Sequence, residues 1–498
     1  MSEPQVYDIF VIGAGSGGYH AALRASQYGA KVAICEKGKV GGTCLNRGCI
    51  PTKALYSTVK LLEDIKQKSK TFGVNVSEPV IDFAQAVERK NKVVDELVAG
   101  IEGLFKQRKV PLFRGTGKIV AKDAEVNGES LFQCSVEGED NVELYARKVI
   151  VATGSTPAQI PAFNIDHQKI LDSDDILDPN FNQLPQTLLV IGAGVIGCEF
   201  ANIFANMGVK VVMLEFLPSM LATEEKLVIK ELQKSFDELG IEVNVSQNVI
   251  SVQATDTGVI ATTCDASVPK EEVENAEKRT FEADLCLVSI GRAKVSAGVG
   301  LEDLGVEIER GAIKTNPKTL ETACPGVYAV GDVTSPIMLA HVAYYGANVA
   351  VANALHAIGG FDVEPKECDL SVVPYTIFTS PEIGSVGLRE EKAKEKTPKV
   401  YTGRFFYGSL GKAKAMGEEK GFMQVSADAS NGQILGATCI GEGAPELISE
   451  IALAMQNKIT AEGVAETIHS HPTISEMVLE SVEDVYGMAI HKAAHRRK

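Results

Sequence analysis

The 498-residue chain has no tryptophan, no apolar run of the roughly 18–20 residues needed to span a bilayer, and no excess of basic residues. The missing apolar run excludes an integral membrane protein with helical spans. The missing basic excess argues against a nucleic-acid binder. Acidic residues number 65 against 49 basic, a formal charge of −16, and phosphate contacts need a basic surface. Such a charge suits a soluble protein with basic partners. The start, MSEPQVYDIFVIGAG, lacks a basic stretch followed by a long apolar region and a cleavage site, so the cytoplasm is the expected location. Clustered cysteines are also scarce. The ten lie at 35, 44, 49, 134, 198, 264, 286, 324, 368 and 439. Without a secretion signal no disulfide framework is needed, and most should be buried small hydrophobes. A hydrophobic fraction of 45% is ordinary for a globular protein and excludes wholesale disorder. At roughly 150 residues per domain the length suggests about three to four domains.

What the sequence does have is an internal repeat. YDIFVIGAGSGG at 7–18 and TLLVIGAGVIG at 187–197 are each an apolar run followed by G-x-G-x-x-G. The glycines are Gly13, Gly15 and Gly18, then Gly192, Gly194 and Gly197. Each set is followed by a helical pattern and a second apolar strand ending in an acid, Glu36 or Glu215. One G-x-G-x-x-G is weak; two strand–turn–helix–strand–acid units at one offset are strong. The physics is that of a dinucleotide site. The first glycine permits the turn, the second lets a pyrophosphate approach the backbone, and the third lets helix and sheet pack. The helix N-terminus offers N–H groups to phosphate, and the acid accepts hydrogen bonds from a ribose.

Between the units, residues 84–108 place Val87, Val94, Leu97, Ile101 and Leu104 at helical spacing, a long amphipathic helix with that stripe toward the core. Residues 111–151 read as short strands ending in KVIVATGS. LCLVSIGR and PGVYAVGD, between 285 and 331, are short apolar runs closing on glycine. From about 360 the pattern becomes that of a separate α+β domain. LREEKAKEKTPK at 388–399 reads as a solvated helix face, and the basic tail HKAAHRRK as mobile.

GGTCLNRGCIPTKAL follows the first unit directly. On an ideal helix Cys44 and Cys49 would stand about 7.5 Å apart along the axis, while a disulfide wants Cα atoms within about 6.8 Å. A bridge therefore needs a distorted turn, which Gly48 allows. Beside a dinucleotide site, two such cysteines suggest a redox-active disulfide. The alternatives are two unrelated buried thiols, or half of a metal site. Zinc would want a further Cys/His pair, and none is nearby. The HSH spacing at 469–471 is poor geometry for one metal, and no metal is expected.

GGTCLNRGCIPTK resembles the redox signature of the flavin-dependent pyridine nucleotide–disulfide oxidoreductases. ATGS at 152–155, VYAVGDVT at 327–334 and HPTISE at 471–476 resemble further motifs of that family. Leu45, FTSPEIGSVG at 378–387 and ILGATCIGEGAPELISEIALAM at 434–455 resemble its dihydrolipoyl-oxidising branch. The resemblance implies an α/β protein with two Rossmann-like domains and a C-terminal α+β dimerisation domain. The expected divisions are an FAD-binding domain at 1–155, an NAD-binding domain at 156–284, a central domain at 285–358 completing the FAD site, and an interface domain at 359–498.

The resemblance also implies roles. Cys44 is the interchange thiol, and Cys49 lies against the flavin as the charge-transfer thiolate. Lys53 lies near the flavin and pairs with Glu199. His471, oriented by Glu476, is the base that reaches the partner subunit's disulfide, so the active site is shared across a homodimer. Thr153, Gly154, Gly331 and Asp332 belong to the FAD site with the first glycine set and Glu36; Gly291 belongs to the nucleotide sites with the second set and Glu215. The implied activity is oxidation of protein-bound dihydrolipoamide with reduction of NAD. The implied partners are lipoyl carriers of 2-oxo acid dehydrogenase or glycine-cleavage complexes. The competing enzyme reading is an NAD(P)H-dependent disulfide or metal-ion reductase; the non-enzyme reading is a flavoprotein binding subunit. The chemistry is coherent without the analogy. A thiolate is the nucleophile, a His held by a carboxylate is a suitable base, and cofactors carry the redox step. The chain departs from the family at Arg47, at Ala293-Lys294-Val295 where Arg-Pro-Asn is frequent, and at Gly346-Ala347. Arg47 either points outward to a surface acid or favours the thiolate beside it.

Overall fold

Two sheets with parallel cores carry the two glycine turns, in a computed structural model that describes residues 4–493. In the first, Val6–Ile12 lies between Val32–Glu36 and Val142–Val151 and runs parallel to both. Val327–Ala329 adds on beyond Val142–Val151. In the second, Thr187–Ile191 lies between Lys210–Leu214 and Leu285–Val288, again in parallel. These central strands are almost wholly apolar and buried, as expected of parallel strands covered on both faces. Helices Ser16–Gln27 and Val195–Asn206 follow the two turns.

Leu285–Val288 pairs with Thr187–Ile191, so a division at 284/285 would cut the second sheet. That strand belongs with the second nucleotide unit, and the chain leaves the unit only after it. Residues 111–151 are not short strands. They form an antiparallel meander whose first member, Leu112–Val126, has 15 residues and irregular register. A three-stranded antiparallel sheet, 247–283, lies beside the second unit.

The long helix runs Phe83–Gln107, capped by the Asp82 carboxylate accepting from the Gln85 N–H at 3.0 Å. Its stripe is turned from the expected one. Val87 and Val94 are buried, but Leu97 and Leu104 are exposed. Lys90 takes a core position, with Nζ donating to the carbonyls of Leu177 (2.6 Å) and Asp178 (3.3 Å). Burial pushes its ammonium down to about 8. A polar residue whose donors meet backbone acceptors can occupy the interior, and an apolar count cannot find it.

The C-terminal unit is a five-stranded antiparallel sheet with helices Ala444–Gln456 and Glu476–Val485 packed on it. The 388–399 segment is solvated only in part. Ala393 is buried, and Arg389 makes an inter-unit ion pair at 2.7 Å with the buried Glu224. Residues 494–498 of the basic tail lie outside the described residues. Among the described residues no helix is long and apolar enough to cross a membrane.

Candidate active site

The cysteines sit on either side of a helix break. Helix Gly42–Arg47 stops at Gly48, and helix Cys49–Lys68 begins at the next residue. A Cβ on Gly48 would stand 2.9 Å from the Thr43 carbonyl oxygen, so this break needs glycine. Gly42 is as constrained. Its φ is +58°, and a Cβ there would lie 2.6 Å from the Gly15 Cα. That contact presses the thiol turn onto the first glycine turn. Cys44 and Cys49 are not bonded to one another in this structure, and each acts on the other's titration. Of the other cysteines, all are buried except the partly buried Cys368.

The two thiols are electrostatically unequal. The hydrogen bond donated by Cys44 is the largest influence on Cys49, and it lowers the Cys49 pKa. Burial opposes it, Lys53 assists and Glu199 opposes, leaving Cys49 at about 7. The same hydrogen bond, with burial, pushes Cys44 up. Charge therefore belongs on Cys49. Lys53, one helical turn further on, reaches both Glu199 carboxylate oxygens at 2.8 Å. Its ammonium also lies 4.5 Å from the centre of the Phe378 ring. Glu199 is buried and takes a second donor, the Phe378 N–H, at 3.0 Å.

The glycine turns are built alike. A Cβ on Gly13 would meet the Ala152 carbonyl oxygen at 2.7 Å; one on Gly192 would meet that of Ser289 at 2.6 Å. Gly18 and Gly197 press on the carbonyls of Gly13 and Gly192, where a Cβ would come within 1.7 and 2.0 Å. Each acid braces its own turn. Glu36 accepts from Ala14 N–H (2.7 Å) and Gly38 N–H (2.8 Å); Glu215 accepts from Ala193 N–H (2.6 Å) and Leu217 N–H (2.7 Å).

A cavity of about 930 Å³ opens along the first turn, at the upper end of ordinary ligand sites. Gly13, Gly15, Glu36, Cys44, Cys49, Lys53, Thr153, Gly154, Glu199, Gly331 and Asp332 all line it. Gly18 packs beneath its turn. The second glycine set, Glu215 and Gly291 lie outside this cavity, whose far end is walled by Val195 and Ile196 of the second unit's helix. Sequence reasoning missed several lining residues. Arg292 Nε donates to Ser155 Oγ at 2.8 Å and Nη2 to Thr43 Oγ1 at 3.2 Å, while Ser155 Oγ donates to Asp332. Ser155 and Arg292 directly follow the singled-out glycines Gly154 and Gly291, which was the available signal. Tyr344 and Asp174 also line the cavity and carried none.

His471 lies elsewhere on the chain. Its Nδ1 is 2.8 Å from Glu476 Oε1, and Glu476 Oε2 accepts from Thr473 N–H at 3.0 Å. Partial burial pushes the Glu476 carboxyl up, but the bonds from His471 and Thr473 outweigh it and the net shift is downward. The His471 side chain is 78% exposed, facing out of its own subunit. His469 has both ring nitrogens engaged, by the Thr467 carbonyl at 2.8 Å and Glu450 at 2.9 Å.

Arg47 points to Asp174, 3.4 Å away on a short helix of the second unit, and is itself half exposed. The charged side chains that act on Cys49 are Lys53 and Glu199. Of the two roles open to Arg47, the structure supports pairing with an acid, although that acid lines the cavity rather than the outer surface.

Two duplicated dinucleotide turns, a dithiol at a helix break in the first turn's cavity and a separate antiparallel unit define a two-nucleotide disulfide oxidoreductase. The chain belongs to the pyridine nucleotide-disulphide oxidoreductase family, whose model matches residues 7–347, with the family's dimerisation domain over 373–482. It is 37% identical over 493 residues to the dihydrolipoyl dehydrogenase of Bacillus subtilis, covering 97% of this chain and 99% of that protein. It is 38% identical over 478 residues to that of Chlorobaculum tepidum, covering 96% and 97%. Among solved structures it is similar to LpdA from Mycobacterium tuberculosis, with a TM-score of 0.85, 26% identity, and coverage of 96% and 99%. The family's cofactors are FAD and NAD(H). The residues fit them, since both turns are cradles that a Cβ would fill and the cavity joins the first turn to the thiols. The dimerisation domain supports a homodimer.

Proposed function

We propose that the protein is a dihydrolipoyl dehydrogenase, oxidising the dithiol of a carrier-borne dihydrolipoyl group to its cyclic disulfide and reducing NAD to NADH. The observation that carries this reading is the polarised dithiol, Cys44 and Cys49, opening into the same cavity as the first glycine turn. FAD, held along that turn, would supply the two-electron chemistry that links the dithiol to the nicotinamide.

The chain's residues do the rest. In the oxidised enzyme Cys44 and Cys49 are bonded. The carrier's thiolate attacks Cys44, and Cys49 leaves as the thiolate that Lys53 stabilises. The carrier's second thiol then displaces Cys44, which takes up a proton. Two electrons and two protons leave the carrier. His471 of one subunit, held through Nδ1 by Glu476, presents its other nitrogen to these thiols in the partner, serving as base and then as acid. Thr153, Gly154, Gly331 and Asp332 hold FAD with the first turn. Gly192, Gly194, Gly197, Glu215 and Gly291 hold NAD. The carriers are lipoyl domains or proteins of 2-oxo acid dehydrogenase or glycine-cleavage complexes, in the cytoplasm.

The test is NADH formation from free dihydrolipoamide and NAD by the purified holoenzyme, beside Cys44→Ser and Cys49→Ser. The wild type should turn over and both variants should fail while retaining FAD. Near-normal turnover by either variant would overturn the dithiol route.

A further inference from the structure

The strand Arg292–Lys294 leaves the second nucleotide unit and pairs antiparallel with Ser155–Pro157, placing Lys294 opposite Ser155. This is where the chain has Ala293-Lys294-Val295 in place of its family's frequent Arg-Pro-Asn. The lysine does not extend into water. It is half-buried, and its Nζ donates to the Ser335 carbonyl at 2.8 Å and to the Thr334 carbonyl at 3.4 Å.

Those carbonyls end the turn that presents Asp332. The turn starts at Gly331, with φ +78°. It is closed by the Thr334 and Ser335 N–H groups, both donating to the Gly331 carbonyl, at 3.0 and 3.1 Å. On its other side Asp332 accepts from Ser155 Oγ, which Arg292 holds. One three-residue strand thus sends a cation to each flank of Asp332. Burial lowers the Lys294 pKa, and the charge of Asp332 acts in the opposite sense. Ser335 is itself buried, so losing the ammonium would leave its carbonyl poorly satisfied.

We propose that Lys294 is a positioning residue of the flavin site, fixing the 331–335 turn and balancing the charge of Asp332. It rests on the reading of Asp332 as an FAD residue. Lys294 ties the exit of the second unit to the floor of the first unit's cavity.

The test compares the full-length holoenzyme with Lys294→Met, which keeps the stem, and Lys294→Arg, which keeps charge and donors. FAD release on dilution is followed by flavin fluorescence, and melting is measured on FAD-loaded and FAD-stripped protein. Losing a hydrogen-bonded charged group should weaken FAD binding about 10- to 100-fold in the Met variant. The Arg variant should stay near wild type. Stripped Lys294→Met should melt somewhat lower, since the Ser335 carbonyl loses its donor, and its FAD-loaded form should lose more than the stripped one. Equal FAD retention by Lys294→Met would overturn the proposal. So would an equal loss of melting temperature with and without FAD, which would mark a general folding role. A wild type that binds no FAD would instead overturn the reading of Asp332.

Discussion

Replacing Lys53 by methionine should raise the Cys49 titration midpoint. Cys49 stands at about 7, against an ordinary thiol value of about 8.5. Its largest support is the hydrogen bond from Cys44. Hydrogen bonds to charged groups contribute about 1.5–3 kcal/mol, and one pKa unit is about 1.4 kcal/mol. Cys44 therefore accounts for about one to two units. An opposite charge within about 4–6 Å lowers a pKa by about 1–3 units. Lys53 should act at the low end of that range, because Glu199 holds its ammonium with both oxygens at 2.8 Å. The midpoint in Lys53→Met should then be about 8.

The sign follows from the shift. The thiolate is populated above the midpoint and lost as pH falls through it, so raising the midpoint leaves mostly thiol at pH 7. The assay is the pH dependence of alkylation of the reduced enzyme, with the modified cysteine located by mass spectrometry. Cys44→Ala should move the Cys49 midpoint upward by at least as much. An unmoved midpoint in Lys53→Met would show that the ammonium serves Glu199 alone, and the electrostatic account of the dithiol would be wrong.

Arg47→Val should leave that midpoint where it is, since Arg47 is paired with Asp174; a shift comparable to that of Lys53→Met would restore it as a thiolate partner. His471→Gln should cut dihydrolipoamide turnover by about 100- to 10,000-fold, the usual range for a lost general acid–base. Oxidation of NADH by oxygen should suffer less, and an equal loss of both activities would mark a structural role. Glu215 should set a preference for NAD over NADP, because a like charge against a 2′-phosphate costs several kcal/mol. Residues 216–225 contain no cation, and Lys226, next along, is paired with Glu391 at 2.7 Å. Steady-state kinetics with each nucleotide checks this, and faster use of NADP would refute it.

The glycine units were legible because their constraint is local. A turn in which an added Cβ would come within 1.7 or 2.0 Å of a carbonyl oxygen admits one residue type, and sequence records that directly. The helix break between the cysteines was legible for the same reason at Gly48. What the sequence did not expose depends on contacts between distant segments. Lys90 occupies a core position only because the 177–178 carbonyls face it. Leu97 and Leu104 continue an apolar stripe that this subunit does not cover. The strand 285–288 reads as the start of a new unit until its pairing with 187–191 is seen. Arg389, in a run of surface charge, turns inward because a buried carboxylate waits 165 residues away.

The Lys53–Glu199 pair shows how the repeat acquires a direction. Both units build the same turn and brace it with the same kind of acid. Their helices then diverge. The chain after the first unit delivers Cys44, Cys49 and Lys53, while the helix of the second delivers Glu199. A largely buried ion pair is weak as a source of stability, because desolvating the charges offsets most of their attraction. Removing one partner is costly, and replacing both by packed apolar groups often is not. Stability alone therefore gives little reason to keep a lysine here. The thiol gives one. Beside the support from Cys44, a nearby cation helps Cys49 hold charge near neutral pH, and that cation must be fixed so that it neither pairs with solvent nor drifts from the sulfur. Glu199, held in turn by the Phe378 N–H, fixes it from the opposite unit. The contact between the two dinucleotide units is thus also the electrostatic support of the dithiol, placed where an electron pair has to pass from one unit to the other.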